Sequence, residues 1–228
     1  MIFIEKFEER VQEIELYFAF LKNLDEKKAT LLISGKRKRS LVPDDDLLKI
    51  LKANAYLLLY NVIESSVRSG LLAIYDSIKA DGLSYDKLGE ELRRTWISNV
   101  LAPAPDRTPD NSVGQVYDIL QKIVAAEAVV FDPKKLRISG NVDARKVRSI
   151  SDAHGFSHVT RGVNGGNKLV KVKMERNDLA HGHKSFIECG RDATFDDLDL
   201  IKKQVISFLR QILRNIARYI AKRKYAVV

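Results

Sequence analysis

The apolar stretch from Leu47 to about Lys79 limits the possible folds most severely. Leu47, Leu51, Leu58, Val62, Val67, Leu71 and Ile74 recur at helical spacing along it. Pro43 followed by Asp44, Asp45 and Asp46 makes a helix start, because acidic side chains suit the positive N-terminal end of a helix. At about 1.5 Å per residue the stretch would run roughly 50 Å unbroken. It is either one central helix or two helices meeting near Gly70. In both cases the remaining chain must supply helices to cover it.

Those helices are readable. Phe7, Val11, Ile14, Leu16, Phe18 and Leu21 predict an amphipathic helix over residues 3 to 24. A basic loop from Ser34 to Ser40, carrying Lys36, Arg37, Lys38 and Arg39, separates it from the apolar stretch. Two further helices are predicted over 84 to 101 and 112 to 130, with Pro103, Pro105 and Pro109 keeping the connection non-helical. Leu136 to Gly140 reads as a short strand, and Val142 to His154 as a short helix closed by Gly155. Gly162 to Asn167 is glycine-rich and expected to move. A helix follows from Leu169 to about Gly182. Thr194-Phe195-Asp196-Asp197 resembles a capping box and opens a last helix to about Lys224. The expectation is an all-α bundle, one domain over residues 1 to 228, with small irregular or β insertions.

Composition narrows the function. A net charge of +9 favours a polyanionic partner, nucleic acid before an anionic membrane. Cys189 is the only cysteine, so the chain cannot close a disulfide or build a cysteine-based zinc site. The N-terminus turns acidic at Glu5, Glu8 and Glu9, where a signal peptide would be apolar. No uncharged apolar stretch reaches the roughly 18 residues of a membrane span. A cytoplasmic location without a membrane partner is expected.

The chemistry concentrates in Glu175-Arg176-Asn177-Asp178-Leu179-Ala180-His181-Gly182. An arginine offers paired N–H donors to a phosphate, and an imidazole transfers protons near neutrality. Together they suit attack of an RNA 2′-hydroxyl on its neighbouring phosphate, because the substrate brings its own nucleophile. Asn177, four residues before His181, is placed to orient the ring. In-line displacement needs an acid and a base. Two residues further along a helix, His183 would point about 200° away. A second copy of His181 from a symmetric partner would then complete the site at a dimer interface. His181, His183, Glu188 and Cys189 lack the paired spacing of a metal site, so no metal and no cofactor are expected.

Two other patterns stand out. Asn54, Asn61 and Arg68 form a polar stripe on the apolar helix, with Glu64 four residues before Arg68 as a possible pair. It is either a structural network or a support for the motif. Arg210, Arg214, Arg218 and Lys222 form an i, i+4 row opposite Ile201, Val205, Ile212 and Ile216. Like charges at that spacing repel, so the row is either a solvated face or a surface for RNA.

The RNDLAH segment resembles the R-x4-6-H signature of the HEPN superfamily (higher eukaryotes and prokaryotes nucleotide-binding). Ala55 to Glu64, Gly140 to Lys146 and Ser185 to Arg191 resemble its MAE-type branch. The resemblance implies an all-helical HEPN bundle, a homodimer, and metal-independent endoribonuclease activity that leaves a 2′,3′-cyclic phosphate. Arg176 and His181 would be catalytic, with Asn177, Glu64 and Arg68 in support. A toxin or anti-phage defence effector is expected, with a cognate antitoxin or defence-system protein as a further partner. In HEPN toxins silenced by nucleotidyltransferases, a tyrosine commonly lies two residues after the histidine; here that place holds His183. The competing expectation is a non-catalytic HEPN module that binds RNA, a nucleotide or a protein.

Overall fold

Pro43 and Asp44 start the central helix as their residue types require. The Asp44 carboxylate accepts the Leu47 N–H at 2.8 Å, and α2 (Asp45–Ala80) then runs through Gly70 without a break. The computed structural model describes residues 1–26, 31–33, 39–41, 43–101, 109–136, 138 and 140–227, with backbone alone at 31–33, 39–41 and 109–112. Among the described residues there are eight α-helices and one two-stranded hairpin. α2 is long and apolar enough by composition to cross a membrane. Its Leu59, Ile63, Leu71, Ile74 and Ile78 are nevertheless fully buried within the protein.

The chain divides into two compact units. The first comprises residues 1–66, 140–144 and 160–210. It contains α1 (Ile2–Asp25), the start of α2, α6 (Asn167–Ala180), α7 (Phe186–Arg191) and α8 (Phe195–Ala221) as far as Arg210. α1 buries Phe7, Val11, Ile14, Phe18 and Leu21, but Leu16 is 73% exposed, because it falls off the stripe that the other five define. Between α1 and α2 lies a hairpin of β1 (Leu31–Ile33) and β2 (Arg39–Leu41), paired with Leu31 opposite Leu41. The expected basic loop is therefore shorter, since Arg39 and Ser40 belong to a strand; residues 34–38 lie outside the described residues.

Glycines in this unit mark close approaches. Within Gly162 to Asn167, residues Asn164–Gly166 form a 3-10 turn, and Gly166 is buried at φ +79°. A Cβ on Gly166 would meet the Ala144 Cβ and the Phe208 ring at 2.8 Å. α7 has no counterpart among the helices expected from sequence, although Ser185 and Glu188 build a capping box, the Ser185 hydroxyl accepting from the Glu188 N–H. At Gly190 a Cβ would lie 1.9 Å from the Lys49 carbonyl oxygen of α2.

The second unit comprises residues 67–139, 145–159 and 211–228. It holds the rest of α2 with α3 (Glu90–Val100), α4 (Pro109–Val124), all but the first residue of α5 (Ala144–His154), and the end of α8. Gly70 sits where α8 comes close: a Cβ there would meet Ile216 Cδ1 at 2.7 Å. Of the proline connection expected at 103–109, Pro109 instead opens α4, where a proline's missing N–H costs nothing, and residues 103–108 lie outside the described residues. The expected strand at 136–140 is not formed at Leu136, Ile138 or Gly140, and Arg137 and Ser139 lie outside the described residues. Gly155, at φ +77°, closes α5 as expected.

Gly190→Ala must displace backbone, so it should lose about 1–3 kcal/mol or more in urea unfolding. Gly114, inside α4, has nothing within 4 Å of the point a Cβ would occupy, so Gly114→Ala should gain about 0.5–1 kcal/mol from helix propensity. Equal effects of the two substitutions would contradict the packing of α7 on α2.

Candidate functional site

The site is assembled around residues 140–143, a short strap held by α2 on one side and α6 on the other. Glu64 accepts the Gly140 N–H at 3.2 Å, and the Tyr60 hydroxyl accepts the buried Val142 N–H at 3.1 Å. From α6, Lys173 donates to the buried Asp143 carboxylate at 2.6 Å. The Asn177 side-chain amide donates to Asn141 Oδ1 at 3.1 Å. Burial raises the Tyr60 pKa first of all, opposed by the Val142 N–H and reinforced by Glu64. Its hydroxyl therefore stays protonated and holds the strap.

Arg176 is seated by this arrangement. Its guanidinium lies 4.6 Å over the Tyr60 ring. Nη1 donates to Asn177 Oδ1 at 3.0 Å and to the Gly140 carbonyl at 3.5 Å. Among the described residues Nε and Nη2 have no partner. That free edge is the one that bidentate recognition of a phosphate uses. Asn177 thus serves Arg176 and the strap. Among the described residues no hydrogen bond joins the Asn177 amide to the His181 ring; its oxygen is turned to Arg176 and its nitrogen to Asn141.

α6 ends in a Schellman turn. His181 is the C-cap, and its N–H reaches the Asn177 carbonyl at 2.9 Å. Gly182 adopts φ +70°, its N–H directed to the Leu179 carbonyl at 3.3 Å. The His183 N–H then closes on the Asp178 carbonyl at 2.8 Å. Helical projection therefore fails at His183, since the left-handed residue turns the chain back. The His181 and His183 rings are both exposed, with centroids 5.8 Å apart, and Asp178 Oδ1 lies 3.8 Å from His183 Nδ1.

The neighbouring charges are satisfied. Lys184 bridges Glu175 at 3.0 Å and Asp178 at 2.9 Å, and holds the Asp178 carboxyl below its usual range. Cys189 is buried, donates to Glu175 at 3.4 Å, and has its thiol pushed up to about 12, chiefly by burial. Such a thiol is no nucleophile at neutral pH. Glu188 is committed to the α7 cap. Among the described residues no cluster of three or more His, Cys, Asp or Glu is placed to hold a metal ion.

The other expected residues divide. Glu64 reaches the strap, whereas Arg68, in the second unit, donates to the carbonyls of Pro133 and Leu136 at 3.3 and 3.5 Å. The anticipated Glu64–Arg68 pair gives way to these backbone partners. Asn54 bonds back to the Ile50 carbonyl at 3.0 Å, and Asn61 is exposed. In the basic row, Arg210 is engaged by Glu8 through two bonds of 2.7 and 2.8 Å and lies over Phe7. Arg214, Arg218 and Lys222 are exposed, and Arg218 and Lys222 line a second-unit cleft with His158 and Lys224. His154 is buried between the Tyr75 hydroxyl and the Ile150 carbonyl, and burial pushes its pKa down to about 4. It is a core residue of the second unit.

Sequence reasoning misses Tyr60, Asn141 and Asp143 as parts of the site. Their signal is a tyrosine and a glutamate one helical turn apart on an apolar helix, which also reads as ordinary core.

Tyr60→Phe keeps the ring but leaves the Val142 N–H without its acceptor, so it should cost about 1–3 kcal/mol in urea unfolding. A double-mutant cycle of Tyr60→Leu with Arg176→Met should return a coupling of about 0.5–2 kcal/mol. A coupling near zero would mean that the ring does not seat Arg176.

The family model for MAE_28990-like HEPN matches residues 3–225. No curated protein and no solved structure matches the chain. HEPN domains are commonly ribonucleases, so the match supports a nuclease or RNA-related role. With nearly its whole length matched and a fold built of helices apart from one short hairpin, the chain belongs to the HEPN superfamily, in the MAE_28990-like branch.

Proposed function

We propose that this protein is a metal-independent endoribonuclease in which Arg176 and His181 act on one RNA phosphate. The observation that carries the reading is the seat of Arg176: a guanidinium fixed over Tyr60 and tied through Nη1, with Nε and Nη2 left open. A cation preorganised in this way stabilises the charge that builds on the crowded phosphate without rearranging during the reaction. The exposed His181 ring, at the end of the same helix, accepts the 2′-hydroxyl proton. The 2′-oxygen then bonds to phosphorus as the bond to the 5′-oxygen breaks, leaving a 2′,3′-cyclic phosphate and a 5′-hydroxyl.

Within the second unit, the exposed Arg214, Arg218 and Lys222 are assigned to RNA-backbone contacts of their own, and Arg210 is assigned to holding α1 instead. A homodimer belongs to this reading on the family resemblance, not on a shortage of imidazoles within one chain. The biological role proposed is that of a cytoplasmic toxin or anti-phage defence effector, restrained by a cognate antitoxin or defence-system protein.

Cleavage of total RNA by the purified protein should survive EDTA and leave 2′,3′-cyclic phosphate ends. A 2′-deoxy nucleotide at the scissile position should abolish cutting there. Arg176→Ala and His181→Ala should each lose on the order of 10² or more in rate while staying folded. Strict magnesium dependence, or full cleavage of the deoxy substrate, would contradict the mechanism.

A further inference from the structure

We propose that His183 is the general acid of the same active site, so that one chain supplies both proton-transfer groups. The inference rests on the ribonuclease reading above. It starts from the Schellman turn, which brings two imidazoles together at the end of α6, with ring centroids 5.8 Å apart. That separation lies within roughly 10 Å, the span of two hydrogen bonds and a phosphate's width. Both rings are exposed, and neither is built into the core.

The two rings differ in their surroundings, and the difference assigns their roles. Asp178 Oδ1 lies 3.8 Å from His183 Nδ1, with Lys184 on the far side of the same carboxylate. The Asp178 carboxylate beside Nδ1 keeps that edge of the His183 ring facing the end of α6. Nε2 is then left for the substrate. Among the described residues the His181 ring has no side-chain hydrogen bond or ion pair, so both of its nitrogens are open to the 2′-hydroxyl.

The proton balance closes within one chain. His181 takes the 2′-hydroxyl proton as the 2′-oxygen–phosphorus bond forms. His183 gives its Nε2 proton to the 5′-oxygen as the phosphorus–5′-oxygen bond breaks. The site is left with the two protonation states exchanged, and proton exchange with water restores them. Gly182 is the hinge of the arrangement, because only a left-handed residue turns His183 back beside His181.

The test uses an oligoribonucleotide that the wild-type protein cleaves, made with the natural bridging 5′-oxygen and again with sulfur in its place. A thiolate leaves without a proton, so it needs no general acid. His183→Ala should lose on the order of 10²–10⁴ in rate on the oxygen substrate yet stay within about 10-fold of wild type on the sulfur substrate. His181→Ala should be slow on both. Gly182→Ala, which strains the turn without removing an imidazole, should follow His183→Ala in direction on both substrates. If His183→Ala cleaves the oxygen substrate at the wild-type rate, or is equally slow on both, His183 is not the acid, and the ribonuclease reading stands without it. If no oligoribonucleotide is cleaved by the wild-type protein, so that no such pair of substrates can be made, both readings fall.

Discussion

The strap at residues 140–143 is the constraint on which the site depends. Four side chains from two helices hold it: Tyr60 and Glu64 from α2, Lys173 and Asn177 from α6. A polar group buried without a partner costs about 1–3 kcal/mol, and these bonds spare the Val142 N–H and the Asp143 carboxylate that penalty. In return the strap offers the Gly140 carbonyl to Arg176. The guanidinium is therefore positioned by backbone and ring together, with its charge only partly withdrawn from solvent.

The end of α6 adds the second constraint. A helix ending in an ordinary frayed turn would leave His181 and His183 on divergent paths. Gly182 at φ +70° permits the 6→1 bond from His183 to Asp178, and this bond fixes the chain reversal. Lys184, immediately after, bridges Glu175 and Asp178 and ties the reversed chain to the helix it has just left. Rigid placement of Arg176 and a fixed helix end thus meet within one short segment of sequence.

Much of the fold is legible because it rests on periodicity. The apolar spacing of α1 and α2, the Asp-rich start of α2 and the Thr194 cap of α8 all follow from local physics, and all are present. The hairpin is not legible, because three-residue strands carry too little pattern. α7 escapes although its S-x-x-E cap is in plain view, because six residues give no periodicity to support it. In the site, Arg176, Asn177 and His181 stand out by their spacing. Their partners do not: Tyr60 and Asn141 lie far from the motif in sequence and look like core and loop residues there. Arg68 and Arg210 show the converse, since a helical row records which charges share a face and not which of them already have partners.

The most direct measurement is a crystal structure of the protein with a dinucleotide whose 2′-hydroxyl is replaced by hydrogen, so that it binds without being cut. The account predicts the scissile phosphate on the open Nε/Nη2 edge of Arg176, with the His181 ring within hydrogen-bonding reach of the substituted 2′ position, roughly 3–4 Å away. A phosphate seated elsewhere, with Arg176 still bound only to Gly140 and Asn177, would contradict it.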